Sequence, residues 1–153
     1  MKNNIEILKN NILFKNFDNS SIESLLTCLS AKKYKYDKNY FIINAGDKIN
    51  NIGIIIEGKV AVIKEDINGN RNIITELSQS EMFGEAFACS NINKSTVSIQ
   101  AISDCEILFI DYVVIWIYYS LDHVIPKTPN RFDNNLVFVA TYRVYRKNYS
   151  RYL

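Results

Sequence analysis

Ile5, Leu8, Ile12 and Leu13 recur at helical spacing within residues 3–15. Ile22, Leu25, Leu26 and Leu29 do the same behind Ser20-x-x-Glu23, a pattern in which a serine hydroxyl and a carboxylate each satisfy a free amide at a helix start. Two short helices are therefore expected, the second capped by Ser20. From Lys32 the period shortens to that of a strand. Seven runs follow: KKYKYD (32–37), YFIIN (40–44), IGIII (52–56), KVAVIKED (59–66), RNIITEL (71–77), STVSIQA (95–101) and CEILFID (105–111). Short β-type runs at this spacing, separated by turn residues, belong to an all-β sandwich or barrel.

The turns agree with the runs. Asn68-Gly69 lies between KVAVIKED and RNIITEL, and Asn-Gly suits a type I′ hairpin, whose two central residues both need positive φ. Gly46 in NAGDK and Gly58 in IEGKV fall in other gaps, where glycine supplies a backbone angle that a side chain resists. The longest apolar run, Tyr112 to Tyr119, has eight residues, against the ~20 of a membrane-spanning helix. It is read as a buried segment.

Composition narrows the function classes. A chain of 153 residues, 48% hydrophobic and 22% charged, is the size of one globular domain with its own core. The net charge of +2 points to no polyanionic partner, although residues 126–153 set six basic side chains against Asp133 alone. Cys28, Cys89 and Cys105 are odd in number and far apart, and the polar start MKNNIEILKN has no secretion signal, so a cytoplasmic location is expected. His123 is the single histidine and lies outside the strand runs, which excludes a histidine-rich metal centre; three scattered cysteines do not hold an iron–sulfur cluster. Cys89 follows a candidate helix start, where a thiolate is stabilised, but a buried small apolar side chain is the plainer reading. Neither a Ser-His-Asp set nor a Gly-Lys-Ser phosphate loop is present, and Glu65 and Asp66 are strand neighbours facing opposite ways. Enzyme activity, a resident cofactor and a metal are not expected.

Two helices, then FIINAGDKINNIGIIIEGKVAVIKEDINGNRNIITELSQSEMFGEAFA, then SIQAISDCEILFID, resemble the effector domain of the Crp/Fnr transcription regulators from about Phe14 to Asp111. AGD, IEGKVAV, the NGN tip and FGE stand in the family's order. The resemblance implies a mainly β fold, a cyclic-nucleotide-binding-like jelly-roll β-barrel (double-stranded β-helix) with short N-terminal helices. It divides the chain into helices over 1–30, the jelly roll over 31–111 and a divergent segment over 112–153. It also implies a ligand site. Amides of Gly84, Glu85 and Ala86 at a helix start face the ligand phosphate, and the Glu85 carboxylate accepts a ribose hydroxyl. In cyclic-nucleotide binders an Arg-Ser or Arg-Thr pair opens the next strand. Here Ser95 holds the arginine's place, Thr96 that of the hydroxyl residue, and Lys94 falls one residue early, on the opposite strand face. The missing charged contact is worth about 1.5–3 kcal/mol, so cAMP is not the expected effector.

The remainder departs from the family plan. DYVVIWIYYSLDHVI lacks a heptad and runs into Pro126 and Pro129, and 42 residues after Asp111 are too few for a dimerisation helix with a helix-turn-helix. The segment therefore reads as the product of a truncation or frame change, and DNA binding by this chain alone is not expected. The basic, tyrosine-rich end TYRVYRKNYSRYL is read as a solvated tail rather than a nucleic-acid arm. The leading expectation is the sensory domain of a Crp/Fnr-type regulator with an unidentified small-molecule effector, and it leaves homodimerisation open. Two alternatives stay open: a stand-alone module for a small anion or nucleotide at Gly84–Ala86 and Thr96, and an interaction protein that dimerises through residues 113–119.

Overall fold

The structure is a computed structural model that describes residues 2–15, 17–85 and 94–111. Ala86, Cys89, His123, the 113–119 segment and the rest of 112–153 lie outside the described residues. Two helices, α1 (Lys2–Lys9) and α2 (Asn19–Cys28), precede eight strands: β1 (Lys32–Tyr36), β2 (Phe41–Ile43), β3 (Asn51–Glu57), β4 (Val60–Glu65), β5 (Arg71–Leu77), β6 (Met82–Phe83), β7 (Ser98–Ala101) and β8 (Cys105–Asp111). All seven expected runs contain strands; β6 is an additional, two-residue one.

The strands form two four-stranded sheets, ordered β1-β8-β3-β6 and β2-β7-β4-β5, antiparallel throughout, in a jelly roll. Their facing sides share one core. Ile55, Phe83 and Ile107 from the first sheet meet Val60, Val62 and Ile99 from the second. The first sheet is also covered on its outer side, where Ile52, Ile54, Ile56, Leu108 and Ile110 pack against Ile5, Leu8, Ile22 and Leu25 of the helices. This explains why β3 reads as a continuous apolar run: its five central residues are buried, alternately beneath helices and between sheets.

Gly53 and Gly58 show two uses of a missing side chain. Gly53 pairs with Phe83, and a methyl at Gly53 would overlap the buried Phe83 ring. Phe83 in turn meets Phe109 edge-on at 6.1 Å, in the arrangement that aromatic quadrupoles favour. Gly58 (φ 88°) turns the chain between β3 and β4 against the backbone of Asp104.

Two local expectations need correction. Asp18, rather than Ser20, caps α2: its carboxylate accepts the Ser21 amide at 2.7 Å, while the Ser20 hydroxyl donates to Asp18. A carboxylate at the helix start outcompetes a hydroxyl two residues later because it accepts both donors and favours the helix dipole. The hairpin tip is also not type I′. Asp66 and Asn70 pair across a three-residue loop, the Gly69 amide donates to the Asp66 carbonyl, and Gly69 takes positive φ whereas Asn68 does not. The Asp66 carboxylate selects this loop by accepting the amides of Asn68 and Asn70 and the Asn70 side chain. Those bonds hold the Asp66 carboxyl below the usual carboxylate range.

Asn11 ties the helices to the sheets. Its amide nitrogen donates to Ser80 O at 2.7 Å and its oxygen accepts the Leu13 amide at 2.9 Å, at a residue 3% exposed. Replacing it strands both backbone groups. Asn11→Ala should lower stability by about 1–3 kcal/mol in urea unfolding without changing the slope of the transition.

Candidate effector site

The site is organised by the chain between β2 and β3. Gly46 N donates to Ser95 O at 2.7 Å, Ser95 N donates to Asp47 O at 2.9 Å, and Lys48 and Lys94 form an isolated antiparallel bridge. A few residues further on, the same segment receives the Gly-Glu turn. Gly84 has φ 89°, and a methyl there would lie 2.9 Å from Asn51 O and 3.6 Å from the Ile49 side chain. Segment 46–52 thus docks the Gly84 turn and the start of the Ser95 strand side by side. AGD in the sequence marks this segment, but its role as the common support of both motifs could not be read from spacing.

The side chains separate sharply. Lys94 and Thr96 are exposed, while Ser95 is 3% exposed, in a bend that precedes β7. The Ser95 hydroxyl is already engaged: it donates to Val97 O at 2.5 Å and accepts the Val97 amide at 3.3 Å, closing a local turn. Arg71, the single arginine among the described residues, lies elsewhere, bonded to Glu65 and 5.4 Å over the Phe41 ring.

Glu85 is the outlier. It follows the Gly84 turn with helical backbone, is 1% exposed, and neither carboxylate oxygen has a hydrogen-bond partner among the described residues. Buried carboxylates are ordinarily paired or hydrogen-bonded, because desolvating the charge without a donor is costly. Burial pushes the Glu85 carboxyl up to about 7; its own backbone amide opposes the shift without reaching hydrogen-bond geometry, and no charged neighbour contributes. At neutral pH this group exchanges a proton and is ready to accept or donate a bond. Sequence reasoning named Glu85 as a ligand acceptor; its complete burial without a partner had no signal in the sequence.

Similarity to known proteins points the same way. Residues 33–116 match the cyclic nucleotide-binding domain family, over half of the chain. The cAMP-activated global transcriptional regulator CRP of Pasteurella multocida (strain Pm70) is 38% identical over 79 residues, which are 52% of this chain and 38% of that protein. The chain thus spans under two-fifths of the length of this curated relative. The sensor domain of the transcriptional regulator DNR from Pseudomonas aeruginosa superposes with a TM-score of 0.72 at 15% identity, covering 93% of this chain and 89% of that one. The regulatory subunit of a cAMP-independent protein kinase A from Trypanosoma brucei does so with a TM-score of 0.72 at 19% identity, covering 97% of this chain and 48% of that one. The two superpositions speak for the fold, and the family match with the Gly84-Glu85 turn speaks for descent: the chain belongs to the cyclic nucleotide-binding domain family, in the form found in Crp/Fnr-type regulators.

Proposed function

We propose that this chain is the effector-sensing domain of a Crp/Fnr-type transcription regulator and that its effector is a small molecule other than cAMP. The observation that carries this reading is Glu85, a buried carboxylate with no donor among the described residues, beside a glycine turn that only a residue without a side chain fits. Such a group favours a ligand that brings a hydroxyl or amide donor to it, because that bond removes a desolvation penalty already present in the unliganded fold. The inward Ser95 supplies no charge for a cyclic phosphate, and Lys94 faces solvent. Function here is binding rather than catalysis. A bound effector biases the arrangement of whatever the domain is joined to by the difference in its affinity for the two arrangements. The free thiols of Cys28 and Cys105 agree with a cytoplasmic setting.

A thermal-shift titration tests the effector class. A cyclic nucleotide bound with a dissociation constant of ~10 μM would stabilise the fold by about 2.7 kcal/mol at ~1 mM. The expected result with cAMP is no shift in Tm. A saturating rise with cAMP would contradict the reading.

A further inference from the structure

Between the sheets, beside the Gly84 corner but not lined by Gly84, Glu85 or Ser95, lies a cavity of about 690 Å³. Its floor comes from β1 and β8. Strand alternation puts Lys32, Tyr34 and Tyr36 on one face of β1, toward the second sheet, and the β1–β8 register sets Lys32 opposite Phe109. The Phe109 ring meets Tyr34 at 5.9 Å and Tyr36 at 6.4 Å, edge-on in both cases, so three rings form a continuous aromatic wall. Tyr34 is 48% exposed there, an aromatic surface left open on the inner side of a sheet. Burial raises the pKa of the Tyr36 hydroxyl, which stays a donor.

The charges around this wall are unequal in availability. Asp47 accepts both the backbone and side-chain amides of Asn44, and Asp111 is engaged as well. Lys32 and Lys48 line the same cavity, and neither makes an ion pair or side-chain hydrogen bond among the described residues. By contrast the neighbouring Lys33, on the opposite strand face, is paired with Glu106 at 2.6 Å. Two uncommitted ammonium groups beside an open aromatic wall suit a planar ring that carries a negative group: the ring contributes edge-on or stacked contacts and the anion is shared by the lysines.

We propose that this cavity is a binding site for a small planar aromatic anion, held by Tyr34, Tyr36 and Phe109 against its ring and by Lys32 and Lys48 against its charge. The site stands apart from Glu85, yet Asp47 to Asn51 form its wall on one side and support Ser95 and Gly84 on the other. Occupancy is thereby felt at the family's Gly-Glu corner through one shared segment.

Isothermal titration with 2-naphthoate, its neutral analogue 2-naphthol and the non-aromatic cyclohexanecarboxylate tests the proposal on the full chain. The expected result is saturable 2-naphthoate binding, at least about tenfold weaker binding of both analogues, and at least about tenfold loss in Lys32→Met/Lys48→Met, one factor of ten corresponding to a single weak charged contact. Both lysines are exposed, so circular dichroism should show the double variant folded. Lys33→Met, on the opposite face of the same strand and outside the cavity lining, should leave 2-naphthoate binding unchanged. No saturation by ~10 mM, equal binding by the Lys32→Met/Lys48→Met variant, or an equal loss in Lys33→Met would each overturn the proposal.

Discussion

Glu85→Gln is expected to stabilise the protein at pH 8 by about 3 kcal/mol and to change it little at pH 4.5. The folded carboxyl titrates at about 7 against an ordinary value of 4.5. Below 4.5 the group is protonated in both folded and unfolded chains, so it exerts no pH-dependent effect. As pH rises from 4.5 to 7 the unfolded chain ionises while the folded one stays protonated; stability falls over that window and levels off above it. The fall is about 3 kcal/mol at 1.36 kcal/mol per unit, good to the order of magnitude. Glutamine keeps the shape and the neutral charge, so the variant should not show this decline. Melting curves from pH 4 to 8 check it. The Tm difference between variant and wild type should grow from near zero to on the order of 10 °C. Parallel curves would mean that the carboxylate has found a donor.

Phe83→Ala should cost about 3–5 kcal/mol, as expected for an aromatic ring deleted from a closed core. The ring is 1% exposed, fills the space left by Gly53 and rests on Phe109. The informative part is the coupling. Gly53→Ala alone should cost about 1–3 kcal/mol, because its methyl would overlap a buried ring that cannot swing away. In a Phe83→Ala background the same methyl should cost far less. Chemical denaturation of the four proteins in the cycle gives the interaction term directly. Additive costs would show that Gly53 is present for a reason other than the ring.

These two residues also show where the sequence is transparent and where it is not. The β3 run IGIII announced a strand, since five apolar residues bounded by polar ones fit a segment buried on both faces. It could not say that Gly53 was reserved for Phe83, thirty positions on, because that pairing depends on the register of a two-residue strand. The hairpin at Asn68 was legible as a hairpin, and its geometry was decided by the Asp66 side chain, outside the Asn-Gly motif. Ser20 and Glu23 looked like a cap because the pattern exists; Asp18 took the position with a stronger acceptor.

At the candidate site Ser95 is buried and Lys94 and Thr96 are exposed, in a bend closed by the Ser95 hydroxyl ahead of β7, so strand period alone does not account for the difference. What motif and period lack is the tertiary support: segment 46–52 brings Gly84 and Ser95 together through backbone bonds that any sequence with the right turn could make. The aromatic wall was hidden for a related reason. Tyr34 and Phe109 are more than seventy positions apart and meet only through the β1–β8 register.

The account turns on Glu85, a buried carboxylate without a donor among the described residues. Its most direct test is a carbon-13 NMR titration of the Glu85 side-chain carboxyl in the unliganded protein. The account predicts a midpoint near 7, well above the ordinary 4.5. A midpoint at or below 4.5 would contradict it, since it would mean that the fold already satisfies Glu85 and leaves nothing there for an effector to complete.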